Sequence, residues 1–283
     1  MSLSRRTVLS AAPALALLGT ASTALAVPTS PFPQPVVGVG GAGVWATNRL
    51  LQLAGHLVDV TVVDSDLAAL RRSSAAHRHL VATDQPPFDL LGSTLLVGGL
   101  GGQLGSQLLP DLADPTSVAV VTTPFWFEGK QRRRLAQGAL ERLHRSARFV
   151  VEVPLQALLH PSARVPLRGA VQRADQAVAH VADAARIALM LAGRGHPLGA
   201  TAVPAVAVAS DPLAAAVAAL QSPMQALDLA TTALVHLRGP APSDGQAHAI
   251  EELARHHLGV REAVLAFTPG DRERSTATVL VSA

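Results

Sequence analysis

The chain has 283 residues, of which 49% are hydrophobic, so it is long and apolar enough to fold into two modest domains with real cores. It contains no cysteine, which excludes disulfides, thiolate metal sites and cysteine nucleophiles. The formal net charge is only +3, and the arginines are spread along the chain without interleaved aromatic residues. We therefore expect no nucleic-acid binding.

The first 26 residues have the three parts of an export signal. Arg5 and Arg6 form a paired basic start, a short apolar stretch follows, and Ala24 to Ala26 has the A-x-A form of a cleavage site. The sequence therefore predicts a twin-arginine signal over residues 1–26 and a proline-rich spacer over 27–35. A working signal would place the mature chain in the periplasm without a membrane span. A chance arginine pair in a frayed extension, or a mis-called start codon, would leave the chain in the cytoplasm.

Strands and helices alternate from residue 35 to residue 154. Short runs rich in valine and leucine predict buried strands, and the segments between them with apolar residues at helical spacing predict helices. The predicted strands are 35–37, 58–64, 93–102, 117–125 and 148–154, and the predicted helices are 45–54, 65–77 and 128–147. This alternation predicts an α/β fold with a parallel sheet covered by helices on both faces.

A long helix over residues 170–192 is predicted to connect this first domain, residues 36–169, to a second and smaller one. The second domain, residues 193–283, has strands predicted at 200–210, 230–240, 262–269 and 275–283, with helices at 211–223 and 244–257. It is therefore also an α/β domain. Its paired histidines, such as His256 and His257, lack the spacing and the nearby acid of a ligand set, so we expect no metal.

The first glycine cluster follows a predicted strand and opens a predicted helix. Gly38, Gly40 and Gly43 satisfy G-x-G-x-x-G, and Asp64 ends the next strand, as in dinucleotide-binding proteins. An NAD(P)-dependent oxidoreductase is therefore one hypothesis. The alternative is that these glycines only permit close packing of a strand against a helix.

Two later segments argue against a dinucleotide site. A second glycine cluster, GGLGGQLGS, begins at Gly98, and TTPFWFEGKQRRR begins at Thr122. Together with GVGGAGVWATNRL and QSPMQALDLATTALVHLRGP, these segments resemble FtsZ, the bacterial homologue of tubulin. The resemblance implies a GTP-binding, Rossmann-type parallel-sheet domain, a long central helix and a smaller α/β domain. It also implies polymerisation into filaments, with GTP hydrolysis at the subunit junctions.

The resemblance assigns candidate contacts to GTP or GDP. The first phosphate loop corresponds to Gly40, Gly41, Ala42 and Gly43, and the second to Gly101, Gly102, Gly105 and Ser106. The ribose contacts correspond to Glu128 and Arg132, and the guanine contact to Asp175. Read without the resemblance, Glu128 and Arg132 form an ordinary i,i+4 surface ion pair. Asp175 could equally be an exposed helix carboxylate.

The chain also departs from the FtsZ pattern at several positions. Trp45 replaces an asparagine that contacts nucleotide in the family, and we expect its indole to pack as core or to fill the pocket. Gln103 and Gln107 replace phosphate-loop glycines and would be strained if they had to adopt left-handed backbone angles. Leu104 replaces a hydroxyl, and Leu155 replaces a base-contacting asparagine.

The largest departure concerns catalysis. In the family, a loop after the central helix carries acids that orient the attacking water, whereas residues 193–210 here contain no aspartate or glutamate. We therefore assign no catalytic residue. The first hypothesis is an FtsZ-like protein with a degenerate GTP pocket that self-associates or binds another FtsZ-like chain. An active, divergent GTPase of filament formation or cell division is the alternative.

Overall fold

The computed structural model describes residues 25–26, 32–81, 93–158, 167–193, 199, 201–222 and 230–282. In its first part, parallel strands alternate with helices. The strands are β1 (Leu25–Ala26), β2 (Gln34–Val39), β3 (Val58–Asp64), β4 (His77–Leu80), β5 (Leu95–Gly99), β6 (Val118–Thr123) and β7 (Phe149–Pro154). The helices are α1 (Gly40–Ala54), α2 (Leu67–Arg71), α3 (Gln103–Leu112), α4 (Lys130–Ser146) and α5 (Leu167–Ala192).

The second part continues the alternation and adds an antiparallel strand. Its elements are β8 (Thr201–Ala209), α6 (Pro212–Leu220), β9 (Thr232–Gly239), α7 (Asp244–Leu258), β10 (Glu262–Pro269) and β11 (Ser275–Ser282). The described strands form one 11-stranded sheet in the order β1-β10-β9-β11-β8-β7-β6-β5-β2-β3-β4. The two halves meet where β7 pairs with β8, at Val150 with Thr201 and Val151 with Ala202. The α/β fold predicted from the sequence is confirmed.

Helix α5 is the long connector that the sequence predicts, and it begins three residues earlier than expected, at Leu167. It packs against α1 and also reaches β8, β9 and β11 of the second half. The apolar face of α5 shares one core with α1 and the first half of the sheet, while α3 and α4 pack on a second core. The site described below lies between α1 and α5, so this packing fixes its walls.

Two local predictions differ from the structure. The helix expected over 65–77 ends at Arg71, because its last predicted residue, His77, starts strand β4 at the edge of the sheet. Helix α3 fills a segment that the sequence marked only as a glycine turn. Of the predicted signal, only β1 lies within the described residues; the rest of residues 1–26, and 27–31 of the spacer, lie outside them.

A buried ionic network joins α5 to β9. The Asp183 carboxylate is fully buried and accepts hydrogen bonds from Arg186 Nη2 at 2.9 Å and from Arg238 Nη2 at 2.8 Å. Burial by itself would raise the pKa of Asp183, but the positive charges around it lower that pKa to about 2. The neighbouring His236 is buried and pairs with the Thr268 hydroxyl at 3.0 Å. The network therefore ties the central helix to the second half of the sheet.

No helix in the described part of the chain combines the length and the hydropathy that crossing a bilayer requires.

Candidate functional site

A cavity of about 220 Å³ opens where the carboxyl ends of β5 and β6 meet helices α1 and α5. Ligands of open parallel sheets bind at this edge. Most of the lining is apolar, and the polar side chains on it are Thr122 and Asp175. The full lining is Ala42, Trp45, Ala46, Val97, Gly98, Thr122, Phe125, Leu155, Ala174, Asp175 and Val178.

Helix N-termini stand beside this cavity at both glycine loops. Helix α1 begins at Gly40 and α3 at Gln103, and neither end has a side-chain cap or an acid in its first turn. Their first N–H groups are therefore free to bind an anion, and the helix dipoles favour negative charge there. The two loops touch, since a Cβ on Gly99 would lie 3.0 Å from the Cβ of Ala42. One anion can thus meet both loops.

The glycines of the two loops have different roles. Gly40 has a φ of 68°, and a Cβ on Gly40, Gly41 or Gly102 would meet nothing within 4 Å, so these residues present open backbone. By contrast, a Cβ on Gly43 would lie 2.6 Å from the Val97 carbonyl oxygen. One on Gly105 would lie 2.2 Å from the carbonyl oxygen of Gly99. Gly43 and Gly105 are therefore required for packing, while the open glycines remain candidates for phosphate contact.

These two roles predict different effects of the same substitution within one loop. Gly43→Ala is expected to lower the free energy of unfolding by about 1–3 kcal/mol, because its Cβ would overlap rigid backbone of two strands. Gly41→Ala is the matched control and is expected to cause no loss, since the position is open and helical. Urea denaturation of the two variants measures the difference. Equal losses would contradict this division of roles.

Ser106 was expected to face the phosphates, and its hydroxyl is engaged within the protein. The side chain is buried, and Oγ accepts a hydrogen bond from the Gly101 N–H at 2.8 Å. Gly101 has a φ of 92°, which only glycine adopts readily, and this bond holds the turn at the start of α3. In this arrangement Ser106 stabilises the conformation of the second loop.

Glu128 and Arg132 form the i,i+4 ion pair that the sequence allows, with Arg132 Nη1 2.7 Å from Glu128 Oε2. The other oxygen of Glu128 accepts a hydrogen bond from the Phe125 N–H at 2.8 Å. Both oxygens of Glu128 therefore have partners before any ribose arrives. The second loop lies alongside, since a Cβ on Gly101 would be 3.1 Å from the Arg132 carbonyl oxygen.

Asp175 and Trp45 both line the cavity. Asp175 is half-buried, and burial raises its pKa to about 6, so its carboxylate is poorly solvated there. Trp45 is 54% exposed, so its indole lines the cavity and is not part of the core. Leu155 also contributes apolar surface at the position of a polar residue in the resembled family. The cavity thus offers one carboxylate within a mostly apolar lining.

The strain expected at Gln103 and Gln107 does not arise. Both residues lie in helix α3, and no non-glycine residue in the described ranges has a positive φ. The backbone of the second loop keeps its turn at Gly101 instead. Gln103 is exposed at the start of the helix, beside the open backbone of Gly102.

The segment that follows α5 becomes strand β8 from Thr201 onward. Residues 194–198, including His196, lie outside the described residues. Across the part of the chain that the structure covers, no group of three or more His, Asp or Glu side chains could hold a metal ion. Sequence reasoning did not single out Thr122 and Phe125 as lining residues, although both lie in the TTPFWFEGK segment that it quoted.

Comparisons with known proteins agree with this geometry. No protein-family model matches the chain. It is 32% identical over 154 residues to cell division protein FtsZ 2 of Rhizobium meliloti, and 29% identical over 172 residues to FtsZ 1 of Halobacterium salinarum. These matches cover 44% and 50% of this chain, and 44% and 43% of the relatives, so the chain matches less than half of their length.

Solved structures share the whole fold. An FtsZ mutant from M. jannaschii superposes with a TM-score of 0.76 at 21% identity, over 89% of this chain and 91% of that one. CetZ2 from Haloferax volcanii, in a GTPγS-bound protofilament, superposes with a TM-score of 0.69 at 17% identity, over 88% and 92%. The chain therefore has the FtsZ/tubulin fold, and about half of it is similar in sequence to FtsZ proteins.

Proposed function

We propose that this protein self-associates, or binds another FtsZ-like chain, through its FtsZ-type fold and hydrolyses little or no GTP. Two structural neighbours are described as assemblies, the FtsZ dimer of M. jannaschii and the CetZ2 protofilament of H. volcanii. This chain superposes on both over nearly nine-tenths of its length or more. The shared fold supports self-association of this chain.

The observation that carries the loss of hydrolysis is the lack of any acid between Gly193 and Ser210. Phosphoryl transfer to water needs a group that positions the water and usually a metal ion as well. Acids on the loop after the central helix supply that group in the resembled family. Without them, a bound GTP would meet no carboxylate from a neighbouring subunit.

The pocket supports reduced nucleotide affinity for a second reason. Guanine recognition depends on paired polar groups, and the cavity offers Asp175 and Thr122 among apolar neighbours. The open backbone of Gly40, Gly41 and Gly102 still favours an anion at the helix ends. Weak GTP or GDP binding without turnover is therefore compatible with the proposal.

Export would account for relaxed selection on this pocket. We infer that the signal over residues 1–26 sends the chain to the periplasm, where no GTP pool maintains a nucleotide switch. Cell fractionation tests this inference. A full-length, uncleaved chain in the cytosolic fraction would contradict it.

Titration with GTP, GDP and NADH, together with phosphate release measured over a range of protein concentrations, tests the function. We expect assembly detectable by sedimentation without GTP, and phosphate release that does not rise as the protein assembles. Turnover that increases with assembly would show an active GTPase. Tight NADH binding would favour the oxidoreductase hypothesis.

A pair of variants sharpens this test. Trp45→Asn restores an amide at the cavity wall and is expected to strengthen GTP binding without restoring hydrolysis, because the acids are still missing. Trp126→Phe is the matched control, since Trp126 is not among the residues that line the cavity. Equal GTP affinity in both variants would show that Trp45 does not limit binding.

A further inference from the structure

A patch of aromatic and cationic side chains projects from the start of helix α4. We call it the cationic aromatic patch and define it as Trp126, Phe127, Lys130, Arg133 and Arg134. The side chains of Trp126 and Phe127 are 66% and 46% exposed, and the three cationic residues are also exposed. Large aromatic side chains are rarely left in water beside one another without a partner.

The exposed rings are held in place by the fold. Phe127 stacks on the buried Phe125 with ring centroids 4.9 Å apart, and Trp126 meets Phe127 edge to face at 6.0 Å. The backbone N–H of Trp126 donates to Gln156 Oε1 at 3.4 Å, and the Arg133 guanidinium donates to the backbone carbonyl oxygen of Trp126. The two rings are therefore packed in a defined arrangement, and the Arg133 guanidinium is held at the backbone of Trp126.

The positive charges of the patch lie at the end of helix α4 where they destabilise it. Ala136, Ala139 and Leu143 face the core from the later turns of α4, whereas Lys130, Arg133 and Arg134 are exposed near its start. These cations lie in the first turns of the helix, near the positive end of its dipole. The first turn of α4 contains no acid that would offset them. An anionic partner would relieve this repulsion.

A second copy of this chain is a poor complement to these charges. The formal net charge of the chain is +3, so a second copy would bring more positive than negative charge. Some of the surface acids are also engaged within the chain, as ion pairs or helix caps. Those with such partners are Asp59, Asp66, Asp111, Glu128, Asp211, Glu251 and Glu252. A molecule with net negative charge therefore complements the patch better than a second copy does.

The shape of the patch favours a partner with a soft, extended surface. The Trp126 ring is 66% exposed and the Phe127 ring 46%, so both present apolar surface to the solvent among exposed cations. Tryptophan and phenylalanine bury their rings at the lipid–water boundary, and nearby lysine and arginine attract anionic headgroups. We propose that the cationic aromatic patch docks this protein onto an anionic lipid bilayer surface.

Vesicle binding by the full chain tests this proposal. The chain has two tryptophans and no tyrosine, so Trp45→Phe leaves Trp126 as the reporter. We expect its fluorescence to shift to the blue with vesicles that contain phosphatidylglycerol, and not with vesicles of phosphatidylcholine alone. The shift should weaken as salt is added.

Two triple variants with the same change in charge locate the surface. K130Q/R133Q/R134Q is expected to weaken vesicle binding roughly a hundredfold, since each cation near an anionic membrane contributes about fivefold. R71Q/R145Q/R148Q removes three exposed arginines elsewhere and should bind nearly as the parent does. W126A/F127A lacks the reporter, so its binding is measured by co-sedimentation with the vesicles, and it should also be lost. Circular dichroism checks that each variant is folded.

Several outcomes would overturn the proposal. They are no binding of the parent chain to anionic vesicles, equal losses in the two triple variants, patch-dependent self-association without vesicle binding, and binding of polyglutamate in preference to vesicles. The last two would assign the patch to a second copy or to an acidic protein. None of these readouts involves GTP, so they are independent of the proposed loss of hydrolysis.

Discussion

Replacing Asp183 by asparagine is expected to lower the free energy of unfolding by about 3–5 kcal/mol. The carboxylate is fully buried and is hydrogen-bonded to both Arg186 and Arg238. Removing its charge leaves two guanidinium groups close together in a site with little water, and the cost of burying them is no longer offset. Urea denaturation monitored by circular dichroism measures the loss.

The matched control is Asp111→Asn. Asp111 pairs with Arg142 at the surface, and both side chains are well exposed, so the same change there should cost about 0–1 kcal/mol. A loss at Asp183 no larger than the loss at Asp111 would contradict the account of the network. It would mean that water or a rearranged arginine compensates for the missing charge.

The parts of the fold that the sequence predicted are those with strong local patterns. Strand β6, for example, is a buried run of valines in a parallel sheet, and its pattern has no competing interpretation. The error at α2 arose because helical spacing continued past Arg71, where pairing of β4 with β3 determined the structure instead. Such pairing depends on partners distant in sequence, which local periodicity does not contain.

The candidate site also depends on contacts between residues that are distant in sequence. The sequence located both glycine loops, but it could not separate Gly43, which packs against Val97, from Gly41, which faces open space. That difference depends on the path of another strand. Likewise, the resemblance drew attention to Asp175 on α5, while Asp183 on the same helix became significant only through Arg238, 55 residues away.

The proposed function separates features that the fold itself needs from features that only nucleotide chemistry needs. The uncapped N-termini of α1 and α3 belong to the first kind, since the packing of both helices on the sheet depends on the same glycine loops. The cavity beside them is mostly apolar, and the segment after α5 has no acids. On the proposed function, elements that serve both folding and binding are retained, while those that serve only nucleotide chemistry are lost.

The buried network also predicts how stability depends on pH. Burial lowers the pKa of His236 to about 4; the negative charge of Asp183 opposes this, and Arg238, Arg186 and His180 reinforce it. Between about pH 6.5 and pH 4 the unfolded chain therefore binds a proton on this histidine that the folded chain does not. Folding is fully favoured above that range and loses about 3 kcal/mol as the pH falls through it.

Comparison with His236→Gln isolates this contribution. Burial raises the pKa of Asp175 to about 6, so Asp175 acts in the opposite direction over a similar range, but it is present in both proteins and cancels in the difference. Asp183, with its pKa near 2, changes charge at lower pH. The free energy of unfolding, measured in urea from pH 7 to pH 4, should fall more steeply in the parent than in the variant. The same substitution at the exposed His56 controls for the loss of one imidazole. Parallel curves for the parent and His236→Gln would show that His236 is protonated at a similar pH whether the chain is folded or unfolded, and that the interior at the junction of α5 and β9 is more hydrated than its burial implies.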